Sequence, residues 1–145
     1  MKKEIQQLSI FLENRVGRLA EVTRVLGEAG IDILAISVAD TADFGILRLI
    51  VDDVEKASGA LKGHGTVCTV NPVSVVPVAG VPGGLAKVLQ VIHDSGLNVE
   101  YMYAVSQRAI QDPVMVFRFP HPEEAEKAFA DAGIEQLTLN ELLGR

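Results

Sequence analysis

The 145-residue chain predicts an α+β protein made of two copies of one strand-helix-strand-strand-helix-strand unit, with antiparallel sheets packed side by side. Three observations carry this expectation. The phrase NRVGRLAEVTRVLGEAGIDI, Asn14 to Ile33, returns as AGVPGGLAKVLQVIHDSGLNV, Ala79 to Val99. A shift of 66 positions pairs Gly17 with Gly83, Leu19 with Leu85, Ala20 with Ala86, Val22 with Val88, Val25 with Val91 and Gly30 with Gly96, without a gap. That is more identity than shared helix composition produces. In both copies the apolar pattern also changes from a period of two to a helical period and back, in the same order.

Each copy opens on a strand. LSIFLE puts Leu8, Ile10 and Leu12 on one face, and VSVVPVA, Val73 to Ala79, is rich in β-branched residues. A helix follows, because Leu19, Val22, Leu26 and Ala29 recur at helical spacing, as do Leu85, Val88, Ile92 and Ser95. Gly30 and Gly96 stand where a C-terminal helix cap belongs. IDILAISVAD and LNVEYMYAVSQ read as second strands, FGILRLIV and PVMVFRF as third strands, and the short connections between them favour antiparallel hairpins. DVEKASGALKG and PEEAEKAFADAG have acidic residues first and glycine last, the polarity of a helix. TVCTV and QLTL then close the copies as short fourth strands. Asn71-Pro72 marks the junction, since a proline interrupts strand pairing, which gives domains 1–71 and 72–145. The order is that of the ferredoxin-like βαββαβ unit.

Along the second strand both alternating sets are apolar: Ile31, Ile33 and Ala35 on one side, Leu34, Ile36 and Val38 on the other. A sheet covered by helices on one face only should show a polar set. The second face is therefore expected to be covered by the other repeat or by another chain, which points to self-association.

Composition excludes several function classes. With 48% hydrophobic and 22% charged residues and a formal net charge of -6, the chain has the makings of a core and repels nucleic acid and anionic membranes on average. The basic residues are scattered, and Lys2 and Lys3 read as a solvated terminus. One cysteine, Cys68, allows no internal disulfide and reads as a small apolar strand residue. No Cys/His spacing suits zinc, and no cofactor is expected. Neither a signal-peptide apolar region nor a run of membrane-span length occurs, so the expected location is cytoplasmic. Gly-x-Ser-x-Gly, Walker and His-Glu-x-x-His motifs are missing, VPGGLAK lacks the Walker spacing, and His64, His93 and His121 are far apart, so no enzyme is expected.

Chemistry concentrates in the loop before the first helix of each copy. Glycine there lets the backbone approach a ligand, and the unpaired amides of a helix N-terminus offer donors to an anion such as a carboxylate. The two phrases quoted above resemble the ACT domain family, small regulatory modules that sense amino acids, as two tandem copies over nearly the whole chain. Gly17 and Gly83 fall on the family's loop glycine, Pro82 on its proline, and Asp32 and Asn98 on the polar position entering the second strand. Val16 departs from the proline, and Gly80 stands where the first copy has Asn14.

The resemblance implies a free amino acid held at an ACT-ACT interface, with the loop of one unit facing the start of the second strand of its neighbour. The implied ligand-binding residues are Asn14, Arg15, Val16, Gly17, Arg18, Leu19 and Asp32 in the first copy, and Val81, Pro82, Gly83, Gly84, Leu85 and Asn98 in the second. The carboxylate would take loop amides, and Asn14, Asp32, Asn98 or backbone carbonyls would accept from the ammonium. The alternative is that the glycines only permit a tight turn and the polar residues only end a hairpin. Arg48 and Arg118, mid-way along third strands, either meet a carboxylate or pair with acidic neighbours. The expected function is a stand-alone, non-catalytic amino-acid sensor, a homodimer acting through a partner enzyme or regulator. The competing expectation is a structural or interaction subunit with vestigial sites.

Overall fold

The computed structural model describes residues 5–13, 15–40, 44–106 and 111–144. In chain order the elements are β1 (Ile5–Glu13), α1 (Arg18–Glu28), β2 (Ile33–Asp40), β3 (Phe44–Val51), α2 (Val54–Gly63), β4 (Cys68–Pro77), α3 (Gly84–Asp94), β5 (Tyr101–Ala104), β6 (Val114–Arg118), α4 (Pro122–Asp131) and α5 (Leu139–Leu142). They form two compact units, Gln6–Asn71 and Pro72 onward, the latter also taking in Ile5. Both are α+β with helices against an antiparallel sheet, the ferredoxin-like arrangement.

In the first unit the strands lie in the order β2-β3-β1, with the opening of β4 beside β1. Leu8 faces Leu49 and Ile10 faces Leu47 across β1 and β3. Alternation therefore turns Leu8, Ile10, Leu12, Leu47 and Leu49 to one side, where they pack with Val22 and Leu26 of α1 and Ala57 and Leu61 of α2. Asp53 caps α2 by accepting from the Lys56 amide at 3.1 Å, which satisfies a first-turn donor. Burying each of these leucines contributes roughly 1.5–3 kcal/mol.

The second unit has the order β4-β6-β5. Ser74 lies opposite Phe117 and Val76 opposite Met115. Its core adds rings to the aliphatic set: Phe117, Phe119 and Phe129 pack with Val76, Val78, Val88 and Ile92. The three ring centroids lie 5.9–6.5 Å apart, a spacing at which aromatic pairs attract. Tyr101 and Tyr103 stack on β5 at 6.5 Å.

Four sequence expectations need correction. TVCTV and VSVVPVA are one strand, and Asn71-Pro72 does not break it. Proline removes only a donor, its fixed φ suits extended backbone, and its carbonyl accepts from Arg118 Nη1 at 3.0 Å. QLTL is not a strand. Its Leu137 amide does donate to the Val75 carbonyl at 2.8 Å, but Thr138 and Glu141 form a capping box that turns the chain into α5. The alternation along β2 is broken, because a register shift between Ile33 and Ala35 places two successive residues on one side of the ladder. Leu34 and Ala35 are both fully buried while Ile36 and Val38 are exposed. In the second copy β5 is shorter than LNVEYMYAVSQ, since the Leu97 amide still closes the end of α3 on Ile92 O at 3.1 Å. Gln107, the end of that phrase, lies outside the described residues.

Candidate functional site

The two strand-to-helix loops are built alike, bond for bond. Gly17 and Gly83 both cap their helices with φ +85°, a left-handed conformation that glycine adopts without strain. Arg15 N donates to Glu13 O at 2.9 Å, and Val81 N to Ala79 O at 2.9 Å. Arg18 N donates to Arg15 O at 3.3 Å, and Gly84 N to Val81 O at 3.0 Å. Glu21 N reaches Gly17 O at 2.9 Å, and Lys87 N reaches Gly83 O at 3.1 Å. Neither helix start is capped by a side chain, so the first-turn amides that follow Arg18 and Gly84 have no side-chain acceptor and suit an outside one.

A cleft opens beside each loop at the same place in the repeat. In the first unit it measures about 190 Å³ and is lined by Leu12, Glu13, Arg15, Arg18 and Leu19, with Val38 and Gly45 opposite. The second cleft, of about 450 Å³, is lined by Val78 to Pro82, Leu85, Pro113 and Met115. The shift of 66 that aligns the repeats carries Glu13 onto Ala79 and Arg15 onto Val81. One backbone thus presents two chemistries.

In the first unit the charges form a network. Arg15 lies 3.5 Å from Glu13 and 3.4 Å from Glu21. Arg18 sits 3.6 Å from Glu21, and its Nη2 is 3.4 Å from the hydroxyl of buried Thr66. His64, at the end of α2, donates from Nε2 to Glu21 at 2.7 Å. The hydrogen bond from His64, with the Arg18 and Arg15 charges behind it, holds the Glu21 carboxyl below its ordinary value of 4.5. The Arg18 side chain is only 11% exposed, and its Nε has no hydrogen-bond partner among the described residues.

The second loop is closed from inside. A Cβ added to Gly84 would collide with the carbonyl oxygen of Ala79, whereas the matching position of the first loop carries Arg18. The chain there has tightened to a point that only glycine fills.

Of the residues singled out from sequence, Arg15, Arg18 and Leu19 line the first cleft, and Val81, Pro82 and Leu85 line the second. Val16, Gly17 and Gly83 lie exposed in the loops. Asn14 lies outside the described residues. Asp32 is not brought to the loop of its own unit: it stands beyond the far end of α1, where its amide donates to Asp52 Oδ1 at 3.0 Å. Asn98 likewise lines a small depression with Leu97, Pro120 and His121 rather than the cleft beside Gly83. Arg118 lies 3.8 Å from Glu100, the pairing with an acidic neighbour that its position in the strand allowed. Glu13, Glu21, His64 and Val38 were not singled out as site residues. Glu13 and Glu21 flank the loop in sequence, a usable signal, whereas His64 and Val38 arrive only through the tertiary fold. Among the described residues no cluster of His, Cys, Asp or Glu could hold a metal, and no helix is long and apolar enough to cross a membrane.

Comparison with known proteins gives a consistent placement. Protein BT0572 from Bacteroides thetaiotaomicron is 37% identical, with a TM-score of 0.89 over 97% of this chain and 96% of that one. The regulatory subunit of aspartate kinase from Thermus thermophilus, in a ligand-free form, is 20% identical with a TM-score of 0.66, covering 88% of this chain and 90% of that one. Its counterpart from Thermus flavus is 19% identical with a TM-score of 0.61, over 91% and 94%. No curated protein matches. The repeated loop, the ferredoxin-like units and a match of residues 3–142 to the ACT domain pair family agree: this chain belongs to the ACT domain pair family.

Proposed function

We propose that the chain is a non-catalytic regulatory protein that binds a free amino acid at its strand-to-helix loops and passes the signal to a partner enzyme or regulator. One observation carries this reading: the same uncapped helix start, with glycine at φ +85°, is built twice and opens each time on a cleft. Amides aimed outward from a helix N-terminus suit a carboxylate. Structural relatives with the same fold include regulatory subunits of aspartate kinase, which supports a regulatory role here. Arg15 to Leu19 is the proposed contact segment of the first copy, and Val81 to Leu85 is its positional counterpart in the second.

Self-association as a homodimer belongs to the same proposal. Phe11 and Phe44 are 49% and 56% exposed, and pairing of Phe11 with Ile46 and Glu13 with Phe44 sets both rings on the sheet face away from α1 and α2. Exposed rings on one face are a common mark of an interface.

The test is a thermal-shift screen of the full chain against all free amino acids, with analytical ultracentrifugation alongside. A ligand at a hundredfold excess over Kd stabilises by about 2.7 kcal/mol, which raises Tm by several degrees. A flat response to the whole panel at millimolar concentration would overturn the sensor reading and favour an interaction subunit.

A further inference from the structure

We infer that the two loops are not two copies of one site: the first cleft recognises a zwitterionic amino acid through Arg15 and Glu13, and the second takes no free amino acid. This rests on the amino-acid reading proposed above and restricts it to one loop. A free amino acid carries a carboxylate and an ammonium close together, and each must regain an opposite partner when it leaves water. The first cleft offers both signs. The Arg15 guanidinium and the Glu13 carboxylate stand 3.5 Å apart with side chains 52% and 64% exposed, so both are within reach of a ligand. Their own contact is a surface ion pair of little net strength, and a zwitterion inserted across it gives each group a new partner at small loss.

Arg15 is also held ready from behind. Glu21 binds it at 3.4 Å, and Glu21 is fixed in turn by Arg18 and His64. A donor whose position is set before the ligand arrives binds with less ordering loss. Beside Arg18 and Gly45, Leu12, Leu19 and Val38 complete the wall, and this apolar part of the surface selects an aliphatic side chain.

The second cleft keeps the apolar wall, with Val78 and Leu85 at the positions of Leu12 and Leu19, but none of the charged groups. Every residue lining it is uncharged, with Ala79 and Val81 where the first has Glu13 and Arg15. An amino acid there would find amides for its carboxylate but only neutral backbone carbonyls for its ammonium, with no carboxylate to offset the charge taken from water.

Isothermal titration of the full chain with aliphatic amino acids tests this, using Arg15→Met and Val81→Ser variants. Analogues of the best ligand that lack either the carboxylate or the amine are titrated beside it. The expected result is one ligand per chain, at least a tenfold loss of affinity in Arg15→Met, no change in Val81→Ser, and loss of binding by both analogues. Two equivalents per chain, or weakening in Val81→Ser but not in Arg15→Met, would overturn the inference while leaving the sensor reading intact. Absence of binding by any amino acid would overturn both. Folding of each variant is checked by circular dichroism before titration.

Discussion

The loop before α1 and the loop before α3 share a glycine turn and a set of backbone hydrogen bonds and share little else. Both cap a helix with a glycine at φ +85° and close with the same three amide bonds. Around that frame the first has collected Glu13, Arg15, Arg18, Glu21 and His64 into a charged network, and the second has filled with Ala79, Val81 and Pro82. The cores beneath differ in the same sense, aliphatic under the first loop and ringed by three phenylalanines under the second. A duplicated fold therefore keeps what the backbone requires and leaves side-chain chemistry free to diverge. Phi angles and capping bonds are set by local geometry, whereas a cleft wall needs only to exclude strain.

The largest expected effect separates the two cores. Phe129 is fully buried against Phe117 and Phe119, so Phe129→Ala should destabilise the second unit by about 3–5 kcal/mol. Leu26→Ala, equally buried in the first core, should cost about 2–5 kcal/mol. The only two tyrosines of the chain both lie on β5, so their fluorescence reports the second unit during urea unfolding. A shifted tyrosine midpoint for Phe129→Ala, with little shift for Leu26→Ala, is the expected outcome. Equal shifts would mean that the units unfold together.

Gly84→Ala sharpens the comparison at the loops. The added methyl group meets the Ala79 carbonyl, and relieving it should cost about 1–3 kcal/mol, again read by tyrosine fluorescence. Gly17→Ala and Gly83→Ala meet no atom within 4 Å and are penalised by φ alone, about 1–2 kcal/mol each. Near-equal losses at these two positions would support a shared backbone. A difference beyond 1 kcal/mol would break the equivalence.

Much of this was legible in the sequence because it follows from local chemistry. Gly17 and Gly83 announce their turns, and Val22, Leu26, Val88 and Ile92 announce the buried helix faces by spacing. The misreadings have two sources, a tertiary contact at Pro72 and a local capping box at Thr138. Pro72 looks like a break, yet an extended strand tolerates it once Arg118 takes its carbonyl. Thr138 has the β-branched look of a strand residue, yet its hydroxyl is captured by the Glu141 amide. At the candidate site, Arg15 stands two residues before its glycine and could be found by eye. His64 reaches Glu21 across 43 positions, and no local pattern encodes that approach.

The smallest expected effect tests whether the charged network is peculiar to the first loop. The matching residue of Glu21 in the second repeat is Lys87, which cannot accept from a histidine. Glu21 has its carboxyl lowered from 4.5 by the His64 hydrogen bond and then by Arg18 and Arg15. A carboxyl that is more acidic folded than unfolded stabilises the fold fully above its unfolded value and loses that contribution as pH falls through its folded value. The stabilisation should therefore be constant from neutral pH down to about 4.5 and fade below it. Asp94 on α3 is also lowered, first by Gln90 and then by His93, but these partners sit on its own helix. Hydrogen exchange read by mass spectrometry on α1 and α2 peptides, from pH 7 to 3 with correction for intrinsic rates, distinguishes the two. Glu21→Gln should lower protection of α1 and α2 at neutral pH, and its difference from the unaltered chain should vanish on the acid side. A difference that persists unchanged to pH 3 would show that Glu21 acts by packing, and the first loop would then owe its order to the same backbone bonds as the second.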